Sequence, residues 1–170
     1  KQLIESEKSF RGLFHTIGDA IYILDQNANF IDVNEGVIKM FGYQKDELIG
    51  KNPEFLGAPG RNNINAVMEY MSLAQKGESQ TFEFWGKKKN GEIFPKSVSL
   101  FNGTYFGKNI IIALARDISE QKKAELDLKE KEEQLRNIFE NSTNIFYSHD
   151  IHHMVKYFSP QIKTVLGYDV

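Results

Sequence analysis

The run QTFEFWGKKKNGEIFPKSVSL, Gln80–Leu100, decides the fold of this 170-residue chain. Its first half alternates, with Phe82 and Phe84 on one face and Glu83 and Trp85 on the other, the period of two that a half-buried strand requires. Asn90-Gly91 then predicts a tight hairpin of type I′, with positive φ at both centres. Ile93 to Phe101 is the predicted return strand. A second turn is expected around Asn102-Gly103 and Gly107-Lys108-Asn109, leading into Ile110-Ile111-Ile112-Ala113-Leu114-Ala115. That last run is apolar on both faces, so it is expected in the middle of the sheet and covered on each side.

Upstream of this hairpin lie two more strands and a helical block. Ala20 to Leu24 and Phe30 to Val33 read as a strand pair around the turn residues Asp25 to Asn29. Asn34 is a natural N-cap, since its side-chain oxygen accepts from a first-turn N–H. The helix it opens turns Val37, Ile38 and Phe41 inward and ends at Gly42. A short helix follows from Lys45 to Ile49, then an irregular stretch from Asn52 to Arg61. Asn65 to Lys76 is a further helix, offering Val67, Met68, Met71 and Ala74 to a buried face. Ser9 to Ile17, with Phe10, Leu13, Phe14 and Ile17 at helical spacing, is a leading helix. Strand runs flanking a helical block give an α+β class. The expectation is a five-stranded antiparallel sheet with short helices on one face, an apolar space between them, and connecting helices at either end.

Composition limits the functions available. The formal net charge is −2, from 21 basic and 23 acidic side chains, which argues against nucleic acid or an anionic membrane as partner. The basic run Lys87-Lys88-Lys89 precedes the Asn-Gly turn and reads as a solvated hairpin tip. The chain has no cysteine, which excludes disulfides, thiolate metal sites and cysteine nucleophiles. No apolar run approaches the roughly 20 residues of a membrane span, and the N-terminal residues do not form a signal peptide. A cytoplasmic setting is expected, in a piece of a longer protein.

An internal repeat organises the chain. At an offset of 125 positions, as from Phe14 to Phe139, Arg11 pairs with Arg136, Tyr22 with Tyr147, Asp25 with Asp150, Gly42 with Gly167 and Tyr43 with Tyr168. These six identities fall on helix, strand, turn and helix-exit positions in the same order. So long a period means tandem globular domains, not a solenoid. The division expected is a leading helix over 1–17, a domain over 18–119, a linker helix over 120–139, and the truncated start of a second domain over 140–170. Lacking three strands, that second unit is expected to be poorly ordered or to borrow strands from a partner.

The element order, with Asp25, Asn34, Phe41-Gly42-Tyr43, Glu47-Leu48-Ile49-Gly50-Lys51, Lys88-Lys89-Asn90-Gly91 and Arg116-Asp117-Ile118-Ser119, resembles a PAS domain. Ser119 stands where the family usually has Thr. The resemblance covers Phe10 to Ser119 and restarts at Leu135. It implies a sensor in which a small ligand or partner occupies the cavity between sheet and helices. The response then leaves through the helix after the last strand to an output domain, most often in this family a histidine kinase of a two-component phosphorelay. Arg116, Asp117, Ile118 and Ser119 are the transmission residues by this reading, with Ser119 or Asp117 capping the helix. Two other readings stay open: a constitutive dimerisation module with a filled core, and a regulator of a cyclic-dinucleotide enzyme.

A pocket is expected to be lined by Ile38, Phe41, Phe55, Leu56, Met68, Phe82, Val98, Leu100, Ile112 and Leu114, residues that any apolar core would also need. Lys96, if it faces inward, favours an anionic ligand. Gly50 to Leu56 is similar to the flavin loop of light-sensing relatives at Asn52, Phe55 and Leu56. However, Pro53 replaces the photoreactive cysteine, Gly57 a glutamine, and Lys96 an asparagine. No flavin is expected. Nor is haem, because the helix Asn65 to Lys76 has no histidine and its Met68 and Met71 sit at core spacing. His15, His149, His152 and His153 read as solvated residues, not metal ligands. With no nucleotide loop or nucleophile motif, no catalytic activity is expected of the chain.

The predicted helix from Ile118 to Phe139 carries Gln121, Ala124, Leu128, Lys131, Leu135 and Ile138 at alternating spacings of three and four. Such a stripe predicts a short parallel coiled coil weakened at its two polar positions, and hence a homodimer. Ala124, Leu128, Leu135 and Ile138 are its contact residues, reinforced by Ile4, Phe10, Leu13 and Ile17 on the leading helix.

Overall fold

The strands expected between Ala20 and Ala115 form one antiparallel sheet in the computed structural model, which describes residues 12, 14, 16, 18–105 and 107–167. The strands are β1 (Ala20–Leu24), β2 (Phe30–Val33), β3 (Gln80–Lys87), β4 (Ile93–Tyr105) and β5 (Lys108–Asp117), in the spatial order β2-β1-β5-β4-β3. The apolar last strand is therefore the central one. Between β2 and β3 come α1 (Glu35–Phe41), α2 (Lys45–Leu48), a 3₁₀ turn (Pro53–Leu56) and α3 (Ile64–Gln75). The leading helix falls mostly outside the described residues, as do Ile4, Phe10, Leu13, His15 and Ile17; Gly12, Phe14 and Thr16 are helical.

Side chains of the central strand alternate between two apolar layers. Ile111, Ala113 and Ala115 join the main core with Tyr22, Leu24, Val37, Phe41, Phe94 and Leu100. Ile110 joins Phe14, Ile21 and Ile23 on the opposite face, with Ile112 and Leu114 packed beside them. Ile112 and Leu114, expected in the pocket, thus point away from it. The apolar run gave no polar residue to set its phase, and a one-residue slip exchanges the faces.

Polar side chains fix the corners. Asp25 Oδ1 accepts from the amides of Asn27 and Asn29, closing the β1–β2 turn in which Ala28 takes a φ of 63°. Asn34 is fully buried. Its Oδ1 accepts from Val37 N, capping α1, and from Ile21 N, while its Nδ2 donates to the carbonyls of Phe14 and Asp19. Gly36 lets α1 lie against β1: a Cβ there would sit 2.7 Å from the Asp19 carbonyl carbon.

Two turns differ from expectation. The β3–β4 hairpin has Lys88 N donating to Glu92 O and Gly91 N to Lys88 O, so its loop is three residues long. Gly91 takes a φ of 90° and Asn90 does not have positive φ, which makes this a turn followed by a glycine bulge and not type I′. The second turn lies beyond Asn102 and Gly103, which stay in β4 opposite Ile111 and Ile110. The outer strand β3 is covered by the loop before α3. Ala58 N donates to Trp85 O, and the Asn62 carboxamide bonds both the N–H and the C=O of Trp85.

The chain divides into two units, Lys1–Glu120 and Gln121–Val170. The second contains most of α4 (Ser119–Asn141), the strands β6 (Tyr147–His149) and β7 (Val155–Phe158), and α5 (Gln161–Leu166). Its hairpin repeats that of the first unit 125 positions later. Tyr22↔Val33 becomes Tyr147↔Phe158, and both pairings shift register just before the last residue of the first strand, at Ile23/Leu24 and at Ser148/His149. Asp150 Oδ1 accepts from His152 N and Met154 N as Asp25 does from its own turn, and His153 takes a φ of 61° where Ala28 has 63°. Gly42 and Gly167 both end a helix at φ 76°. Among the described residues this unit has two paired strands only.

Candidate ligand cavity

A cavity of about 380 Å³ opens between the sheet and α3. Its floor is Tyr22 and Leu24 from β1, Phe82 and Phe84 from β3, Lys96, Val98 and Leu100 from β4, and Ala113 from β5. Alternation along each strand brings these to one face, and the small Ala113 leaves the space unfilled. Ile64, Val67, Met68 and Met71 of α3 form the roof, where Tyr70 stacks on Phe82 at 4.7 Å. The rim is polar: Gln26, Asn27, Asn52, Glu54, Ser72 and Gln75.

Lys96 is the unusual wall residue, at 3% exposure. Its Nζ lies 4.7 Å from the centre of the Phe41 ring, 5.1 Å from Phe84 and 5.5 Å from Tyr22, and donates to the Tyr22 hydroxyl at 3.4 Å. No described carboxylate forms an ion pair with it. Burial of the ammonium pushes its pKa down to about 7, and burial pushes the Tyr22 phenol up. The three rings offset part of the lost hydration through cation–π attraction.

Of the residues expected in the pocket, Met68, Phe82, Lys96, Val98 and Leu100 lie on the cavity wall. Met68 stands at the mouth, 66% exposed, and not in a buried helix face. Ile38 is half-buried on α1 and off the wall; Phe41 and Leu56 are wholly inside the core, Phe41 behind Lys96. Phe55 turns outward, packing on Tyr43 at 5.1 Å with Lys51 Nζ 3.8 Å above its ring. The 3₁₀ turn, begun by Asn52 capping Glu54 N, swings Phe55 out and Leu56 in, a geometry that loop residues alone do not announce. Sequence reasoning missed Tyr22, Phe84 and Ala113. Phe84 was legible from its alternation with Phe82, whereas Tyr22 and Ala113 become cavity residues only once their pairing across β1 and β5 is known.

A PAS domain family model matches residues 18–120. The chain belongs to the PAS domain family. It is 35% identical over 125 residues to the methyl sulfide methyltransferase-associated sensor of Methanosarcina acetivorans, covering 73% of this chain and 12% of that protein. It is 29% identical over 144 residues to hybrid signal transduction histidine kinase D of Dictyostelium discoideum, covering 79% of this chain and 9% of that one. The chain therefore spans about a tenth of the length of these relatives. The crystal structure of a PAS domain from Colwellia psychrerythraea superposes with a TM-score of 0.58 at 26% identity, over 66% of this chain and 97% of the other.

At the exit of this PAS domain, the Arg116 guanidinium grips Asp19 through two bonds of 3.2 and 2.6 Å and holds that carboxyl below the usual aspartate range. Asp117 Oδ1 accepts from Ser119 N at 2.8 Å, so Asp117 caps the start of α4. Ile118 is buried and donates its N–H to Pro95 O. Further along α4, Ala124, Leu128, Leu135 and Ile138 are all exposed. Among the described residues no group of His, Asp and Glu could hold a metal ion, and no helix is long and apolar enough to cross a membrane.

Proposed function

We propose that this PAS domain is the input module of a signalling protein, in which a small molecule occupies the cavity and the response passes through α4 to a histidine kinase. One observation supports the coupling above the rest. Lys96 on the cavity wall is the register partner of Asp117, and Asp117 holds the first turn of α4. Pro95, beside Lys96, receives the N–H of Ile118. A ligand that shifts β4 at Lys96 moves both attachments of the helix start together.

In this reading the chain itself is non-catalytic and uses neither flavin nor haem. Pro53 and Lys96, both on the cavity wall, stand where the similar light-sensing loops and strands carry cysteine and asparagine. A cysteine-free domain needs no oxidising compartment, which suits a cytoplasmic setting. The exposed side chains of Leu128, Leu135 and Ile138 favour a homodimer along α4. They equally suit a purely dimerising module, but an open cavity with a buried lysine fits poorly with a filled core.

Ligand-observed NMR with a fragment set, followed by amide exchange at Ser119 and Glu120, tests the proposal. Fragments that bind in the cavity and alter exchange at the helix start are expected. Binding without that change breaks the coupling; a cavity that takes no fragment leaves the dimerisation reading.

A further inference from the structure

Among the described residues, the buried end of the cavity at Lys96 and Tyr22 has more donors than acceptors. Lys96 carries three N–H groups, of which one reaches the Tyr22 oxygen, and among the described residues the Tyr22 O–H has no acceptor of its own. Both residues are buried, Tyr22 at 2% and Lys96 at 3% exposure. Buried donors left without acceptors are costly, and a buried cation without a counter-charge more so. The site thus calls for a group that only accepts and carries negative charge. Beyond it the wall is apolar, with Val98, Leu100 and Phe82 on the floor and Met71 on the roof.

We propose that the cavity binds a small monocarboxylate with an apolar body, its carboxylate accepting from Lys96 Nζ and Tyr22 Oη and its body lying along Val98, Leu100 and Phe82. This rests on the sensory reading above and names the ligand class for that site. A carboxylate supplies the counter-charge that Lys96 lacks and stabilises its protonated form. Binding therefore takes up a proton above about pH 7, where burial leaves the free lysine increasingly neutral. The other ionisable groups around Lys96 are Tyr22 on β1, Glu54 on the cavity rim and Asp117 opposite on β5; Phe41 of α1 and Phe84 of β3 bring no charge. None of these neutralises Lys96 in place of the ligand.

The experiment is calorimetric titration of the full chain with octanoate and with octanamide, a neutral analogue of the same length, from pH 6 to 9. Octanoate is expected to bind tighter than octanamide at pH 6.5 and to lose about tenfold in affinity per pH unit above 7. Lys96→Met, which keeps the side chain's bulk, is expected to weaken octanoate about 50-fold, the range of a charge-assisted bond, and to weaken octanamide only several-fold. Tyr22→Phe should weaken octanoate several-fold. Equal binding of acid and amide, or full octanoate affinity in Lys96→Met, overturns the proposal. Neutral fragments that bind and shift α4 while octanoate does not would overturn it and leave the sensory reading standing.

Discussion

Asn34 and Ser159 hold the same place in the two units: each is fully buried and each accepts a backbone amide at 2.9 Å, from Ile21 and from Phe146. Each also sends its own amide back to that residue's carbonyl. A short polar side chain at this corner ties the second strand's exit to the first strand's entry, and in the first unit it also caps the following helix. In the first unit the carboxamide does more, because its Nδ2 also gathers the Phe14 and Asp19 carbonyls.

Asn34→Ala is therefore expected to cost the first unit about 3 kcal/mol, since the amides of Ile21 and Val37 and the carbonyls of Phe14 and Asp19 each lose a bond at once. Urea unfolding followed by Trp85 fluorescence measures it. Ser159→Ala orphans one amide and should cost about 1 kcal/mol, confined to the second unit and visible as faster exchange at Phe146. A midpoint unchanged in Asn34→Ala would mean that the corner holds without its side chain.

Lys96 makes stability depend on pH in a window well above that of acid unfolding. Its folded value of about 7 lies below the ordinary lysine value of 10.5. Between these values the unfolded chain binds the extra proton, so stability rises with pH; below about 7 both states are protonated and the burial penalty is felt in full. Relative to Lys96→Met, the wild type should gain about 1.4 kcal/mol per pH unit through that window, and the variant should be the more stable protein at pH 6. Parallel stability curves for the two proteins would refute this.

Asp117 is the residue to alter at the helix start. Asp117→Ala removes the acceptor for Ser119 N and should cost about 1 kcal/mol, with increased amide exchange confined to the first turn of α4. Asp117→Asn keeps an oxygen in place and should restore most of the protection. Ser119→Ala, which leaves that bond intact, should change little.

The proposed dimer has its own test. Leu128 and Leu135 are 59% and 55% exposed in the single chain, an apolar surface that pairing would cover. Sedimentation of the wild type at micromolar concentration should give a dimer, and Leu128→Glu with Leu135→Glu should give a monomer with an unaltered first unit. A wild type that sediments as a monomer excludes the pairing.

Most of the architecture was legible because its signals are local. Asn34 before an apolar helix, Gly42 after it and Asp25 in a turn are each decided by their neighbours, and all three stand where expected. The cavity was harder to see, since its wall depends on strand phase and on loop geometry. β4 alternates Val98 and Leu100 with Ser97 and Ser99, so its inward apolar pair was readable. β5 is apolar at every position from Ile110 to Ala115, and only pairing with β1 reveals that Ala113, not Ile112 or Leu114, faces the cavity. Asp117 as the actual helix cap was one of two candidates that spacing alone could not separate.

Ala113 also sets how easily the domain could be retuned. It is the one short side chain on the cavity floor, on the strand held by neighbours on both edges, so a larger residue there would grow into the void without disturbing the hydrogen-bond ladder. A single codon on the middle strand thus meters the free space, while the lysine anchor and the helix attachment stay as they are.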